Sequence, residues 1–230
     1  MSGDQHFTTA DGCRIAYRID GPVDRPVLML SNSIATNLHM WDRSVAALGR
    51  SFRLLRYDTR GHGGSDAPAG PYSMDRLGRD VVELLDFLDI DRAHFLGLSL
   101  GGFIGQWLGV FAPNRIDRLI LSNTAPYLAA ELHFDDQIHA VLAASDMDAI
   151  ADGFMRNWFP ATMLAAPNEI VDEFSNMVLT TSPRGLAGCF AALRDVDLRR
   201  VIALIAAPTL VIGGESDTVT RPNHSEAIAT

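Results

Sequence analysis

One stretch limits the folds open to this chain: Phe95-Leu96-Gly97-Leu98-Ser99-Leu100-Gly101-Gly102. The apolar run 94–98 reads as a buried strand, and 103–110 reads as the helix after it. Between them stands Gly-x-Ser-x-Gly, with a third glycine behind it. In a strand–turn–helix setting this spacing builds a nucleophile elbow. Backbone passes close to backbone at such a turn, and Gly97 and Gly101 remove the side chains that would collide there. Ser99 then projects from the carboxyl end of the strand. The Leu100 N–H faces the same space as an oxyanion donor, and the helix start adds positive potential.

The flanking pattern is that of an α/β protein. Residues 13–20 alternate with period two and predict a half-exposed strand near a sheet edge, with 6–9 as its hairpin partner across Asp11-Gly12. The continuous apolar run 27–30 predicts a strand covered on both faces. Small polar residues follow it at 31–37, where a second loop can bring an N–H to an acyl-transfer site. A short helix is expected over 41–48. The strand at 52–57 runs into a glycine-rich loop in which Arg60 pairs with Asp58 or with a carboxylate elsewhere. His62 is expected to be a hydrogen-bonded histidine of a packed loop, not a catalytic base. Residues 74–88 predict a helix capped by Ser73, with Leu77, Val81, Leu84, Leu85 and Leu88 inward and Arg76, Asp80 and Glu83 facing water. A further strand at 116–122 completes the strand–helix–strand order of a parallel sheet with helices on both faces.

The rhythm then changes. From 127 to 206 helical patterns dominate, at 135–144, 147–154, 168–179 and 183–193. We expect a helical cap over the carboxyl ends of the strands, its aromatic residues mostly packing one helix on another. The expected organisation is therefore a core over 1–126, a cap over 127–206 and the rest of the core over 207–230. The strand at 208–213 leads into Glu215-Ser216-Asp217, and Asp217 is the best acid by chain order, with Glu215 its neighbour.

Composition narrows the function classes. Charged residues make up 20% of the 230, and 19 basic against 28 acidic residues give a net charge of -9. No basic cluster suits nucleic acid. The opening segment lacks a secretory pattern, no apolar run approaches the roughly 20 residues of a membrane span, and Cys13 and Cys189 form no metal-type cluster. A cytoplasmic protein with no membrane or nucleic-acid partner is expected.

One expected part has no match. The order serine, acid, histidine calls for another strand, a loop histidine and a closing helix after the acid. The histidines stand at 6, 39, 62, 94, 133, 139 and 224, and only His224 follows Asp217, too near it in sequence to serve both acid and serine. The histidine base is expected to be absent from these residues. A complete parent enzyme with a longer C-terminal part is the expectation, with this length unstable or inactive as a hydrolase and the strand at 208–213 left with an open apolar edge.

Three stretches resemble the α/β-hydrolase superfamily and, within it, the 3-oxoadipate enol-lactonases of aromatic catabolism. They are Leu30-Ser31-Asn32-Ser33 with Trp41 downstream, Leu55-Arg56-Tyr57-Asp58-Thr59-Arg60-Gly61-His62-Gly63 with Ser65, and the elbow itself. Most superfamily members have His-Gly where Ser31-Asn32 stands. The resemblance implies an α/β-hydrolase fold whose last strand and helix are missing. It implies Ser99 as nucleophile, Asp217 as triad acid and the backbone N–H groups of Ser33 and Leu100 as the oxyanion hole. It further implies hydrolysis of a carboxylate-bearing enol-lactone to 3-oxoadipate, with no metal or organic cofactor. Asn32, Ile34, Arg156, Trp158 and Arg184 are pocket candidates; Arg156, Arg184 and Arg194 are the cap candidates for the substrate carboxylate, with an ordinary surface position the first expectation for each. Two rivals stand beside this reading. One is another cofactor-free hydrolase, a carboxylesterase or perhydrolase-like enzyme. The other is an inactive relative acting by binding. Oligomeric state is not legible.

Overall fold

The period-two stretch at the N-terminus becomes the expected hairpin. β1 (Gln5–Thr8) and β2 (Arg14–Asp20) pair antiparallel with Thr8 opposite Arg14, and Gly12 turns between them at a φ of 85°. The computed structural model describes residues 4–128 and 132–229. The first three residues of the opening segment, residues 129–131 of the expected cap and residue 230 lie outside the described residues.

β3 (Val27–Ser31) and β4 (Arg53–Tyr57) pair in parallel, and between them run the 3-10 turn Leu38–Trp41 and α1 (Asp42–Leu48). α2 (Met74–Phe87) starts at Ser73, whose side chain accepts the Arg76 N–H, and buries Leu77, Val81, Leu84 and Leu85. β5 (Ala93–Leu98) leads through Ser99 into α3 (Leu100–Phe111), and β6 (Ile116–Ser122) follows. α3 begins three residues before the apolar pattern does. Its first turn carries the elbow glycines, which periodicity alone reads as loop.

The next segment is helical: α4 (Phe134–Ala143), α5 (Asp148–Trp158), the single turn α6 (Ala161–Leu164), α7 (Glu169–Thr180) and α8 (Pro183–Asp195). Their aromatic rings pack on one another as expected. Phe190 lies 6.0 Å from Phe134 and 6.4 Å from Phe154, and Trp158 lies 4.8 Å from Phe154 and 6.2 Å from Phe174. β7 (Thr209–Ile212) then joins β6 in parallel, and α9 (Pro222–Ala229) follows.

Among the described residues seven strands lie in the order β1-β2-β4-β3-β5-β6-β7, antiparallel only at β1–β2 and β2–β4. The chain steps from β3 to β4 on one side and then crosses to β5 on the other. Strand order therefore reverses at the carboxyl ends of β3 and β5, where open α/β sheets hold their ligands. β7 is the far edge, with Leu210 56% and Ile212 44% exposed.

One expectation fails on α2. Asp80 does not face water but is buried, donating nothing and accepting from Arg60 Nε and Nη2 at 2.6 Å each. Arg60, on the loop after β4, lies in the protein interior and also bonds Asp11. A guanidinium taken out of water needs carboxylates. Helical period placed Asp80 outward because it cannot see a partner twenty residues away.

Candidate active site

Ser99 sits on the turn that its glycines permit. Its backbone lies at φ 55°, ψ -112°, a region that costs an L-residue about 1–3 kcal/mol and is kept only where surroundings enforce it. The enforcement is visible. Ser99 N donates to Ser122 O at 3.0 Å, while Gly102 N and Thr124 Oγ1 donate to Ser99 O at 2.8 and 2.9 Å. A Cβ on Gly97 would stand 2.1 Å from Gly101 O, and one on Gly101 would stand 2.3 Å from Ser31 O. The side chain of Ser99 is half-buried and so remains reachable. The Leu100 N–H opens α3, where helix geometry offers it no intrahelical acceptor.

The second oxyanion donor differs from expectation. Gly101 N donates to Asn32 O at 3.0 Å, so the carbonyl of the 32–33 peptide faces the elbow. In a trans peptide the N–H points the opposite way, and no peptide bond of the described residues is cis. The Ser33 N–H accordingly turns away from Ser99 and donates to Met40 Sδ at 3.4 Å. The Ser33 N–H expected as the second donor therefore does not face Ser99, and the next N–H along the loop is that of Ile34. Asn32 is likewise no pocket residue. Its amide is buried, donating to Tyr57 O at 2.9 Å and accepting from Trp41 Nε1 at 2.8 Å. The side chain of Ile34 packs into the main core.

Asp217 follows β7. Asn123 Nδ2 donates to its Oδ2 at 2.8 Å, as does Thr220 Oγ1 at 2.7 Å, while the Val219 and Thr220 N–H groups donate to Oδ1. Burial pushes this carboxyl up, but these donors together outweigh it and hold the pKa below the usual carboxylate range. The acid is therefore ionised and oriented. Residues 123 and 124 tie the site together, Asn123 holding Asp217 and Thr124 holding Ser99. Sequence reasoning assigned neither of them a role, and the only signal was a short polar run directly after a strand.

Among the described residues no histidine bonds Ser99 or Asp217. His39 pairs with Asp42 at 2.9 Å, His133 and His139 are exposed, His94 begins β5 at the end of the strand away from Ser99, and His224 is buried on α9. His62 is buried within its loop as expected, accepting the Ala35 N–H at Nε2 over 2.9 Å. Burial brings its pKa down to about 4, so it is neutral. Both cysteines are buried, and desolvation pushes the Cys13 thiol up to about 11 and Cys189 higher still, which leaves neither as a nucleophile.

The arginines divide cleanly. Arg156 and Arg184 are exposed, and Arg194 bonds Asp135 and Asp195 at 2.7 Å each. The buried guanidiniums of Arg56 and Arg60 are both committed, the first to Asp20, Asp42 and Leu38 O, the second to Asp80 and Asp11. Trp158 is half-buried in the aromatic stack of the helical segment. No group of three or more metal-ligating side chains occurs among the described residues, and none of their helices is long and apolar enough to cross a membrane.

This geometry has close relatives. The alpha/beta hydrolase fold family matches residues 26–230. A relative from Acinetobacter baylyi, 3-oxoadipate enol-lactonase 2, is 38% identical over 212 residues, which are 92% of this chain and 79% of that protein. Among solved structures, a hydrolase from Pseudomonas aeruginosa superposes with a TM-score of 0.97 at 54% identity, over 98% of this chain and 85% of that one. The enol-lactonase from Burkholderia xenovorans does so with a TM-score of 0.94 at 36% identity, over 98% and 86%.

Proposed function

Since the chain belongs to the α/β-hydrolase family, we propose that it hydrolyses 3-oxoadipate enol-lactone to 3-oxoadipate through an acyl-enzyme on Ser99. The observation that carries the chemistry is the strained, half-buried Ser99 at the point where strand order reverses, with a helix N-terminus behind it. The observation that carries the substrate is the likeness to proteins named as enol-lactonases.

In this reading Ser99 Oγ attacks the lactone carbonyl. The Leu100 and Ile34 N–H groups meet the charge that forms on the tetrahedral oxygen, and a pair of such donors supplies several kcal/mol. The ring C–O bond breaks, and the enol oxygen leaves while still tethered to the same molecule, then tautomerises to the ketone. Water releases the acyl group. Asp217 serves an imidazole that takes the Ser99 proton; that proton step is assigned to no residue described here. The sequence of steps requires neither metal nor organic cofactor, because serine supplies the electron pair and amides stabilise the charge. Residues 127–206 act as a cap over a core made of 1–126 and 207–230, and Trp158 lines its inner side.

A second reading rests on the arginines. With Arg56, Arg60 and Arg194 all paired to carboxylates and Arg156 and Arg184 exposed, none of these five described arginines offers a free, buried cation to the substrate's carboxylate. That favours an esterase indifferent to this charge. Purified protein assayed on 3-oxoadipate enol-lactone and on p-nitrophenyl acetate separates the two. The lactonase reading expects kcat/KM for the lactone to exceed that for the ester by 100-fold or more, with both lost in Ser99→Ala. Equal values favour the esterase. Turnover of neither overturns both readings and leaves the binding protein.

A further inference from the structure

The loop that carries the Ile34 N–H is held at its strained corner by a residue from the next loop. Thr36 N returns to Ser33 O at 3.4 Å, which makes a tight turn with Ile34 and Ala35 at its corners. Ala35 is fully buried and lies at φ 59°. An L-residue enters this left-handed region only against a cost, so the turn needs an outside hold. The Ala35 N–H donates to His62 Nε2 at 2.9 Å; Thr181 Oγ1 lies 3.4 Å from the Ala35 carbonyl but gives its one proton to Met177 O at 2.8 Å. His62 belongs to the loop after β4, and Thr181 belongs to the helical segment.

The hydrogen-bond directions fix the state of His62. A backbone N–H can only donate, so Nε2 must present its lone pair. Nδ1 lies 3.3 Å from Arg60 O, which can only accept, so Nδ1 carries the proton. The ring is locked over by α8. The backbones of Gly61 and Gly185 touch so closely that a Cβ on Gly61 would fall 2.5 Å from Gly185 Cα, and Cys189 Sγ stands 4.0 Å from His62 Nδ1. The histidine therefore cannot swing away without lifting α8 from the core.

We propose that His62 is a positioning residue for the oxyanion site: its Nε2 holds Ala35 in the left-handed conformation and so sets the course of the loop beside the elbow, the neighbouring Ile34 N–H included. This rests on the acyl-transfer reading above. It adds that α8 and the donor loop are joined through His62 and Ala35. A displacement of α8 would reach the oxyanion donor through His62, with no contact between α8 and substrate.

The test uses paired variants of the whole chain. In His62→Gln the Oε1 atom reaches the place of Nε2 and can still accept; in His62→Leu nothing can. We expect His62→Leu to lower kcat for lactone or ester at least ten-fold with KM within two-fold of wild type. His62→Gln should recover most of that loss. Exchange of the Ala35 amide hydrogen, followed by NMR, should accelerate at least ten-fold in His62→Leu and stay slow in His62→Gln. A His62→Leu enzyme with unchanged kcat overturns the proposal, as does an Ala35 amide equally slow in both variants. Should His62→Leu fail to fold, the wild-type ring decides: the proposal expects the proton on Nδ1, and a proton on Nε2 contradicts it. If the wild type turns over neither compound, the enol-lactonase reading fails by itself, while the ring tautomer and the Ala35 exchange still judge the clamp.

Discussion

Adding one methyl group at Gly101 should separate the elbow from the loop it supports. The new Cβ would stand 2.3 Å from Ser31 O, 2.7 Å from Ser31 C and 2.8 Å from Ser31 Oγ. Ordinary contact begins about 1 Å further out, and two of the three atoms are backbone, so α3 or the end of β3 must move by that amount. Overpacking of this kind costs about 1–3 kcal/mol. The shift also opens the Gly101 N–H to Asn32 O bond, now 3.0 Å, for about another 1 kcal/mol. The sum, about 2–4 kcal/mol, is a large part of the roughly 5–15 kcal/mol that holds a domain folded. Activity should suffer more than stability suggests, because Leu100 and Ile34 ride on the two elements forced apart. A misplacement of about 1 Å at reacting groups costs on the order of 100-fold. The comparison is Gly153→Ala, since Gly153 lies inside α5 with nothing within 4 Å of its missing Cβ. That change should stabilise by about 0.5–1 kcal/mol through helix propensity. Urea denaturation of both variants, with hydrolysis measured beside it, is the assay. A Gly101→Ala protein with wild-type midpoint and turnover would refute the account of the elbow.

Three further predictions follow from buried polar groups. Asp80→Asn removes a full charge from the Arg60 pair, and breaking a buried pair from one side costs about 3–5 kcal/mol; a fall of less than 1 kcal/mol in unfolding free energy would contradict the burial described. His62 and Asp58 should give opposite slopes of stability against pH. His62 is held neutral with its pKa down at about 4, so unfolding takes up a proton between pH 6.5 and 4 and acidification destabilises. Asp58 is pushed by burial up to about 6, so the folded state holds the extra proton and acidification stabilises over pH 6 to 4. Each slope approaches about 1.4 kcal/mol per pH unit and the two offset. His62→Gln should therefore gain stability from pH 6 to 4 and Asp58→Asn should lose it, and identical profiles in thermal melts across that range would contradict both assignments. Asn123→Ala removes a hydrogen bond from Asp217 and should raise the carboxyl's pKa toward its ordinary value, read by NMR titration; an unmoved pKa would dissociate Asn123 from the acid.

What the sequence made legible was mostly local. The hairpin at 5–20, the α2 stripe and the helical segment could be read because period and turn residues act within a few positions. The elbow was legible for a steric reason, since glycines at 97 and 101, on the two sides of a strand-to-helix turn, serve no purpose unless another backbone lies against them. The errors are long-range. Which way the Ser33 N–H points depends on one peptide plane, and its carbonyl is held by Gly101, almost seventy residues on. Asp80 sits on the polar side of its helix by count but is covered by Arg60. Asn32 has the composition of a ligand contact, yet Trp41 and the Tyr57 carbonyl consume its amide. The cap arginines carried no local signal that distinguishes a pocket cation from a surface one.

Peptide mapping by mass spectrometry after reaction with a fluorophosphonate shows whether Ser99 is the nucleophile. One adduct per chain is expected, on the peptide holding Ser99, absent in Ser99→Ala along with lactone and ester hydrolysis. An adduct on another residue, or wild-type hydrolysis by Ser99→Ala, would contradict that role.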